Sequence, residues 1–294
     1  MNKIGIYFAY WERNWEGDYL KYIKKVRNLG FDILEIAAGS LPNMTPPQKR
    51  FIADAAKDAG IKLTYCIGLP PQYDLSSPDE AVRREGIKYV SGLLDDIKFM
   101  GGDLLGGIIY ACWPAVRMSY EDKAVMRENA VASVRQLAKK AEDYGISYCL
   151  EVVNRFEQCL INTAAEGVEL VKEIGSPAVK LLLDTFHMNI EEDSIGDAIR
   201  SAKGLIGHFH IGECNRKVPG KGHMPWDEIM VALSDVGYEG GIVMEPFIKP
   251  GGQVGQDIKV FRDLSGGADE AEMDTMAKGA MDFVRGKIAE FSHA

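Results

Sequence analysis

Side chains that could bind a metal ion lie in four consecutive apolar segments of the chain. They are Glu151 within 148–153, Asp184 at the end of L-L-L-D, His210 at the end of G-H-F-H, and Glu245 at the end of I-V-M-E. An ionised carboxylate in an apolar strand is costly unless a cation or hydrogen-bond donors compensate it. The repetition of this pattern therefore predicts one shared metal site.

The residue types also indicate which ions the site would accept. Three carboxylates and one imidazole suit a hard or borderline divalent cation, with Mn²⁺, Co²⁺ or Mg²⁺ ahead of Zn²⁺. Open coordination positions would let two neighbouring oxygens of a sugar bind the ion. Taken alone, each residue has an ordinary structural explanation, such as a helix cap for Asp184 or a core hydrogen bond for His210. The prediction rests on the four together.

Two of these residues, Glu151 and Glu245, predict a proton transfer at a carbon atom. A cation would polarise the carbonyl of a hydroxy-ketone and lower the cost of forming the enediolate. One glutamate would remove the proton from the neighbouring carbon, and the other would return a proton to the opposite face. The product would be the epimer at that carbon. Asp184 is shorter and lies between the two in strand order, so it is predicted to be a ligand only.

Polar side chains that follow the same strands are candidates for binding the substrate. Glu157, His187 and Arg216 could bind sugar hydroxyls or the enediolate oxygen, because the loops on this side of an α/β barrel commonly carry function. The structural alternatives are a solvated loop acid, a helix cap and a solvated loop cation, respectively. We expect these three side chains to surround the metal site.

Aromatic side chains could supply the apolar wall that sugar pockets use. The candidates are Tyr7, Trp15, Trp113 and Phe247. Aromatic residues are also ordinary in a protein core, so this prediction depends on whether the four share one cavity.

The elements that must position these residues alternate along the chain. Short apolar runs typical of buried strands alternate with amphipathic helical patterns that end at glycine. The predicted strands are 4–9, 32–37, 62–67, 104–109, 147–153, 179–183, 205–210 and 241–245. The predicted helices are 18–29, 46–59, 119–144, 163–174, 193–202, 225–236 and 270–291, with a further helix capped by Ser77 that ends at Gly101. The Gly-rich segment 250–255 is predicted to be a loop.

Eight strands alternating with helices predict parallel pairing with right-handed crossovers. In a chain of 294 residues this favours an α/β fold, a TIM (β/α)8 barrel, with 1–294 as a single domain. The alternative is an open doubly wound sheet, which normally carries a Gly-rich phosphate turn after its first strand. Here the first strand continues into Ala9-Tyr10-Trp11-Glu12 without such a turn. In a barrel the carboxyl ends of the strands converge, so the four candidate ligands can meet.

Composition and charge exclude several classes of partner. The formal net charge of -9 argues against nucleic acid and gives no attraction to an anionic membrane surface. No apolar run approaches the length of a membrane span, and the N-terminal segment resembles a strand more than a signal peptide. The five cysteines form no C-x-x-C pair. They are typical of free thiols in a reducing compartment, so a cytoplasmic location is expected.

Several long stretches resemble the ketose 3-epimerase family, which includes D-psicose (D-allulose) and D-tagatose 3-epimerases. They are G-I-Y-F-A-Y-W-E from Gly5, C-L-E-V-V-N-R-F-E from Cys149, L-L-D-T-F-H-M-N-I-E-E-D from Leu182, G-H-F-H-I-G-E-C-N-R-K-V-P-G-K-G from Gly207, V-M-E-P-F from Val243, and D-I-K-V-F-R-D-L-S-G-G-A-D from Asp257. The resemblance extends over nearly the whole chain and is weakest in 69–114.

This resemblance implies a TIM barrel with a divalent ion, usually Mn²⁺ or Co²⁺, on the four predicted ligands. It implies that Glu151 and Glu245 exchange the C3 proton of a ketohexose, with D-psicose and D-fructose ahead of D-tagatose and D-sorbose. It also implies substrate contacts from Glu157, His187 and Arg216, and a homodimer or homotetramer.

Other functions remain open at this level. An aldose–ketose isomerase on the same barrel would use the same metal but move a proton between C1 and C2. A phosphodiesterase of the apurinic endonuclease type would need a cluster richer in histidine than five His residues allow. A non-catalytic sugar-binding barrel is a further alternative. A Schiff-base aldolase is disfavoured, because none of strands five to eight ends in lysine, and Lys249, in the loop after strand eight, is the only nearby candidate.

Overall fold

The computed structural model describes residues 2–291 and forms a closed barrel of eight parallel strands. The strands are β1 (Ile4–Tyr7), β2 (Ile33–Ala37), β3 (Lys62–Cys66), β4 (Leu104–Gly107), β5 (Ser147–Val152), β6 (Val179–Asp184), β7 (Ile206–Ile211) and β8 (Ile242–Met244). Each strand pairs with the next along the chain, and β8 pairs in parallel with β1 to close the barrel. The prediction of a TIM barrel is confirmed.

Helices surround the barrel and connect its strands. They are α1 (Tyr19–Leu29), α2 (Pro46–Ala59), α3 (Glu80–Phe99), α4 (Tyr120–Tyr144), α5 (Ala164–Ile174), α6 (Thr185–Glu191), α7 (Ile195–Ser201), α8 (Trp226–Asp235), α9 (Gly252–Asp257) and α10 (Glu270–Phe291). Short 3-10 helices follow β1 and β2 and precede α3. As predicted, several helices end at a glycine with positive φ, which a residue without a Cβ adopts most easily. These are Gly30, Gly60, Gly145 and Gly175.

Strand register places the predicted site residues at one end of the barrel. Asp184 is the last residue of β6 and pairs with His210, the penultimate residue of β7. Glu151 is the penultimate residue of β5, and Glu245 directly follows β8. The carboxyl ends of parallel barrel strands meet at one face. The four side chains therefore lie at or near the carboxyl ends of four adjacent strands, at the same end of the barrel.

Side-chain alternation along β7 determines which of its residues face the barrel interior. His208 and His210 are two residues apart, so their side chains point to the same side of the strand, and Phe209 points to the other. Both imidazoles approach Glu35 of β2, which lies across the barrel. One face of β7 thus carries His208 inside the barrel and His210 at the end of the barrel where the predicted site lies.

Three local predictions were wrong. The cap of α3 is Asp79 and not Ser77, because the Asp79 carboxylate accepts from the backbone N–H of Ala81 and the helix begins two residues later than expected. Residues 185–191, which no predicted helix covered, form α6. The segment 250–255 contains the start of α9, since its glycines tolerate the positive φ that precedes the helix.

One large cluster of buried apolar side chains joins the barrel to its helices, from Ile4 in β1 to Ile288 in α10. All five cysteines lie within the described residues and are unpaired, as the sequence predicted. No helix between residues 2 and 291 combines the length and the apolar character needed to cross a membrane.

Candidate active site

The four predicted ligands come together at the carboxyl end of the barrel. Glu151, Asp184, His210 and Glu245 each offer one ligand atom, and these atoms all lie within 4.8 Å of one another. Asp184 and His210 are fully buried, and the two glutamates are 7 % exposed. Strands β5 to β8 thus present three carboxylates and one imidazole to a common point.

Asp184 has a local structural role beside its place in the cluster. Its Oδ1 accepts from the backbone N–H of Phe186, 2.9 Å away, and so caps α6. Its Oδ2 faces the cluster, where a nitrogen of Arg216 lies 3.5 Å away. Oδ1 of Asp184 therefore caps the helix, and Oδ2 is the oxygen that could bind the predicted metal ion.

Burial and neighbouring charges shift the pKa values of the two glutamates. Burial raises the pKa of Glu245, and although His210 and Arg216 oppose it, the value reaches about 7. Burial raises the pKa of Glu151 well above its ordinary value, and the nearby charge of Glu245 adds to the increase. A carboxyl group with a pKa of about 7, such as that of Glu245, can both accept and donate a proton near neutral pH.

His210 is oriented by a residue that the sequence analysis missed. Its Nε2 lies 2.6 Å from Oε1 of Glu35, a fully buried carboxylate on β2. Burial disfavours the charged imidazole, but Glu35 and then Glu245 outweigh it and raise the pKa of His210 to about 10. Its other nitrogen, Nδ1, lies 3.7 Å from Oε1 of Glu245.

His187 lies beside the cluster and is held in one orientation. Its Nδ1 accepts from the backbone N–H of Asn154 at 3.2 Å and lies 2.7 Å from the Asn154 side-chain amide. Its Nε2 is therefore left to face Oε1 of Glu151 at 3.6 Å and Oδ2 of Asp184 at 3.8 Å. Burial lowers the pKa of His187 to about 4, so the ring is neutral at physiological pH.

Arg216 is a buried cation of the site and not a solvated loop residue. Its guanidinium stacks over the ring of Phe186, 3.6 Å from the ring centre, and lies 3.3 Å from Oε2 of Glu245. The backbone of Arg216 has a φ of 62°, in the left-handed region that a non-glycine residue seldom adopts. Residues held in this region often occur at functional sites.

Two members of the cluster, Glu151 and Glu245, line a cavity of about 330 Å³. This volume is at the small end of ligand pockets, which span about 300–1,000 Å³. The cavity lining includes every residue predicted to bind substrate, namely Tyr7, Trp15, Trp113, Glu157, His187, Arg216 and Phe247.

The four predicted aromatic residues form a continuous wall of this cavity. Trp15 lies at its centre, with ring centroids 6.0 Å from Trp113, 6.0 Å from Phe247 and 6.2 Å from Tyr7. The indole N–H of Trp113 donates to a carboxylate oxygen of Glu157 at 2.6 Å. The wall is therefore apolar along its length and ends in a fixed carboxylate.

The donor set fits a divalent cation. Three carboxylates in one buried group repel one another unless a cation or protons compensate them. Nδ1 of His210 is buried and has no hydrogen-bond partner among residues 2–291, so this nitrogen could bind a metal ion that displaces its proton. Hard oxygen ligands with one imidazole are the set expected for Mn²⁺, Co²⁺ or Mg²⁺.

A second group of possible ligand atoms, from Glu35, Cys66 and His210, lies deeper in the barrel. Both oxygens of Glu35 already accept hydrogen bonds. Burial raises the pKa of Cys66, which disfavours the thiolate that metal ligation needs. This inner group therefore supports His210 and does not form a separate ion site.

Sequence reasoning missed the inner residues Glu35, His208 and Asn154. Glu35 carried the same signal that identified Glu151, a carboxylate within an apolar strand, I-L-E-I-A. His208 alternates with His210 on the strand and shares its face. Asn154 carried no such signal, because its role depends on how the segment after β5 turns towards α6.

Comparison with known proteins agrees with this geometry. Residues 23–264 match the family model described as the xylose isomerase-like TIM barrel. The fold and the site therefore define a member of that class.

Comparison with individual proteins identifies the family within this class. The chain is 52% identical over 283 residues to a D-psicose 3-epimerase of Ruminiclostridium cellulolyticum, covering 96% of this chain and 97% of that protein. It is 50% identical to a D-psicose 3-epimerase of Agrobacterium fabrum, covering 96% and 98%. A solved D-psicose 3-epimerase with D-tagatose, from Clostridium cellulolyticum H10, superposes with a TM-score of 0.96 at 51% identity over 97% of this chain and 99% of that one. This protein belongs to the ketose 3-epimerase family and is an isomerase-class enzyme.

Proposed function

We propose that the protein interconverts free ketohexoses at C3, with D-fructose and D-psicose as the preferred pair and D-tagatose and D-sorbose next. The observation that carries the proposal is the convergence of Glu151 and Glu245 with Asp184 and His210 within 4.8 Å, with the two glutamates lining a small cavity. Two relatives at 52% and 50% identity named D-psicose 3-epimerase support the choice of sugar. D-Psicose and D-fructose differ only in configuration at C3.

We further propose that Glu151, Asp184, His210 and Glu245 hold one divalent cation, Mn²⁺ or Co²⁺, with Mg²⁺ as a third candidate. Such a cation would act as a Lewis acid on the ketose carbonyl and make the C3 hydrogen more acidic. The supporting observations are the shared point of the four side chains and the Nδ1 of His210, which lacks a hydrogen-bond partner among residues 2–291.

Glu151 and Glu245 are the proposed acid–base pair. One ionised carboxylate takes the C3 proton, and the electron pair of the C–H bond passes into the enediolate. The other glutamate, as a carboxylic acid, gives a proton to the opposite face of C3. The raised pKa values of both groups support this assignment, because each must be able to hold a proton during turnover. The reverse reaction exchanges their roles.

Three polar residues would hold the substrate oxygens during this exchange. Arg216 offers a guanidinium beside Glu245. His187 is neutral with its Nε2 directed at Glu151, so it can donate to a substrate oxygen without carrying charge. Glu157, fixed by Trp113, can accept from a sugar hydroxyl. The aromatic wall would cover the apolar side of the sugar and exclude water.

The aldose–ketose isomerase is the second candidate, since it would use the same residues on C1 and C2. The test is incubation of metal-stripped enzyme with D-fructose, with and without added Mn²⁺, and chromatography of the products. The proposal predicts D-psicose alone, and only after metal is added. Glucose or mannose would support the isomerase, and no product with any added metal would favour a binding protein.

The quaternary structure stays a prediction. We propose a homodimer or homotetramer, as the resemblance to the family implied. Light scattering coupled to size-exclusion chromatography would measure the mass of the assembly directly, and a monomeric mass would contradict this part of the proposal.

A further inference from the structure

Glu35 is an ionised residue at the centre of the barrel interior that the proposed chemistry does not use. It lies on β2, is fully buried, and extends across the barrel to β7. Carboxylates are seldom fully buried unless they are paired. A carboxylate in this position therefore needs an explanation.

Three hydrogen bonds fix the Glu35 carboxylate. Oε1 accepts from Nε2 of His210 at 2.6 Å. Oε2 accepts from Nε2 of His208 at 2.8 Å and from the hydroxyl of Thr64 at 2.8 Å. Thr64 lies beside Glu35 in the register of β2 with β3, so one contact is local and two cross the barrel.

The contact with His210 determines which of its nitrogens faces the ligand cluster. Because Nε2 donates to Glu35, Nδ1 is the nitrogen that points towards Glu245, at 3.7 Å. A metal-binding histidine commonly donates its other ring N–H to a carboxylate, which fixes the ring orientation and makes the binding nitrogen more basic. The pair of Glu35 and His210 has this arrangement.

A purely structural role for Glu35 would be to satisfy two core histidines. The same space could then be filled at least as well by apolar side chains, because burying an ion pair seldom adds stability. The structural role also gives no reason for the shortest of the three contacts to be the one to His210. The arrangement is explained if the carboxylate serves to hold that ring.

We propose that Glu35 is a positioning residue that holds His210 with Nδ1 directed at a divalent cation, and that His208 and Thr64 in turn hold Glu35. This inference rests on the proposed metal site. It predicts that the affinity for metal depends on a side chain that touches neither the ion nor the sugar.

The test is the Kd for Mn²⁺ of metal-stripped protein, measured by electron paramagnetic resonance of the free ion, for wild type and Glu35→Gln. This substitution keeps the shape of the side chain and removes its negative charge. We expect Kd to rise by about 10- to 100-fold, the usual effect of losing an outer partner of a metal-binding histidine. The absorption spectrum of bound Co²⁺ should also change, because the geometry of the imidazole ligand changes. Neither readout depends on turnover.

Three further variants keep the test informative. Thr64→Val removes one hydrogen bond to Glu35 but leaves both imidazoles in place, so it should weaken Mn²⁺ binding less than Glu35→Gln does. Asp74→Asn removes a buried carboxylate that accepts from Ser76, away from the ligand cluster, and should leave Kd unchanged. If Glu35→Gln does not fold, Glu35→Asp carries the same expectation, because the shorter side chain cannot reach β7.

The outcomes separate the inference from the proposed function. If the wild-type protein binds no Mn²⁺ or Co²⁺, the proposed metal site itself is wrong. If it binds and a folded Glu35 variant binds with the same Kd and the same Co²⁺ spectrum, only the positioning role is overturned. A lower melting temperature with unchanged Kd also overturns that role, because it shows that Glu35 serves the core alone.

Discussion

Arg216 places a guanidinium nitrogen 3.3 Å from Oε2 of Glu245. On the other side of the same carboxylate, Nδ1 of His210 lies 3.7 Å from Oε1. Positive charge at both oxygens opposes the effect of burial, and the pKa of Glu245 settles at about 7. A carboxyl group with this pKa can take and return a proton near neutral pH, which is the property that epimerisation requires.

Glu245→Gln removes the proton-transferring group while keeping the shape of the side chain. We expect kcat for the conversion of D-fructose to D-psicose to fall by about 10²- to 10⁴-fold at saturating Mn²⁺. The matched control is Glu239→Gln, since Glu239 is an exposed glutamate at the other end of β8. Turnover by a folded Glu245→Gln protein at the wild-type rate would contradict the two-glutamate mechanism.

The pKa of Glu245 also predicts how metal binding depends on pH. In the metal-free protein this pKa is about 7, above the value of about 4.3 for an unfolded chain. Between these values the folded state binds the proton more tightly, so Glu245 lowers the stability of the metal-free fold as pH rises towards 7. A divalent cation favours the ionised carboxylate and therefore competes with the proton below that pH.

The increase in melting temperature caused by Mn²⁺ should therefore be larger at about pH 8 than at about pH 6. Calorimetry at the lower pH, in two buffers with different heats of ionisation, should show protons released on binding. An equal thermal shift at both pH values, without proton release, would contradict the assignment of Glu245 as a ligand.

Arg216→Lys tests whether the guanidinium acts by shape as well as by charge. The guanidinium stacks 3.6 Å from the centre of the Phe186 ring, and a lysine cannot reproduce that planar stacking. We expect kcat/KM to fall by about tenfold, corresponding to the loss of a buried cation–π contact. Lys217→Arg at the neighbouring position is the control for altered loop charge. An unchanged kcat/KM in the Arg216→Lys protein would show that charge alone suffices.

Gly107 is required where β4 ends beside the cavity. Its φ is 116°, and a Cβ at this position would overlap the backbone carbonyl of Ile67. Gly107→Ala should lower the free energy of unfolding by more than about 2 kcal/mol. Gly145→Ala is the matched control, because Gly145 has a φ of 67° with open space around it, and should cost about 1 kcal/mol. If urea titrations showed the same decrease in the free energy of unfolding for Gly107→Ala and Gly145→Ala, this explanation would be wrong.

Much of the fold could be predicted because the physical signal is local. Apolar runs ending in a polar residue identify buried strands, and their spacing admits only short parallel crossovers. The four candidate ligands were predictable for the same reason, since each lies at or near the end of a strand and barrel closure brings those ends together. The helix at 185–191 was not found, because Asp184 acts at once as the strand end and as the helix cap.

Contacts across the barrel could not be predicted from local sequence patterns. Glu35 and His210 are 175 positions apart in sequence, and their contact depends on the closed barrel and on which face of β7 points inwards. Asn154 likewise meets His187 only after both segments turn over the barrel end. A buried carboxylate could be noticed in the sequence, but its partner could not be identified.

The most direct test of the central claim is the position at which solvent hydrogen enters the sugar. D-Fructose is incubated with Mn²⁺-loaded enzyme in heavy water, and both recovered ketoses are analysed by NMR. The account predicts deuterium at C3 of D-psicose and of recycled D-fructose, and no formation of deuterated D-psicose by Glu245→Gln. Deuterium at C1 or C2 with formation of aldoses, or conversion without any deuterium at C3, would contradict it.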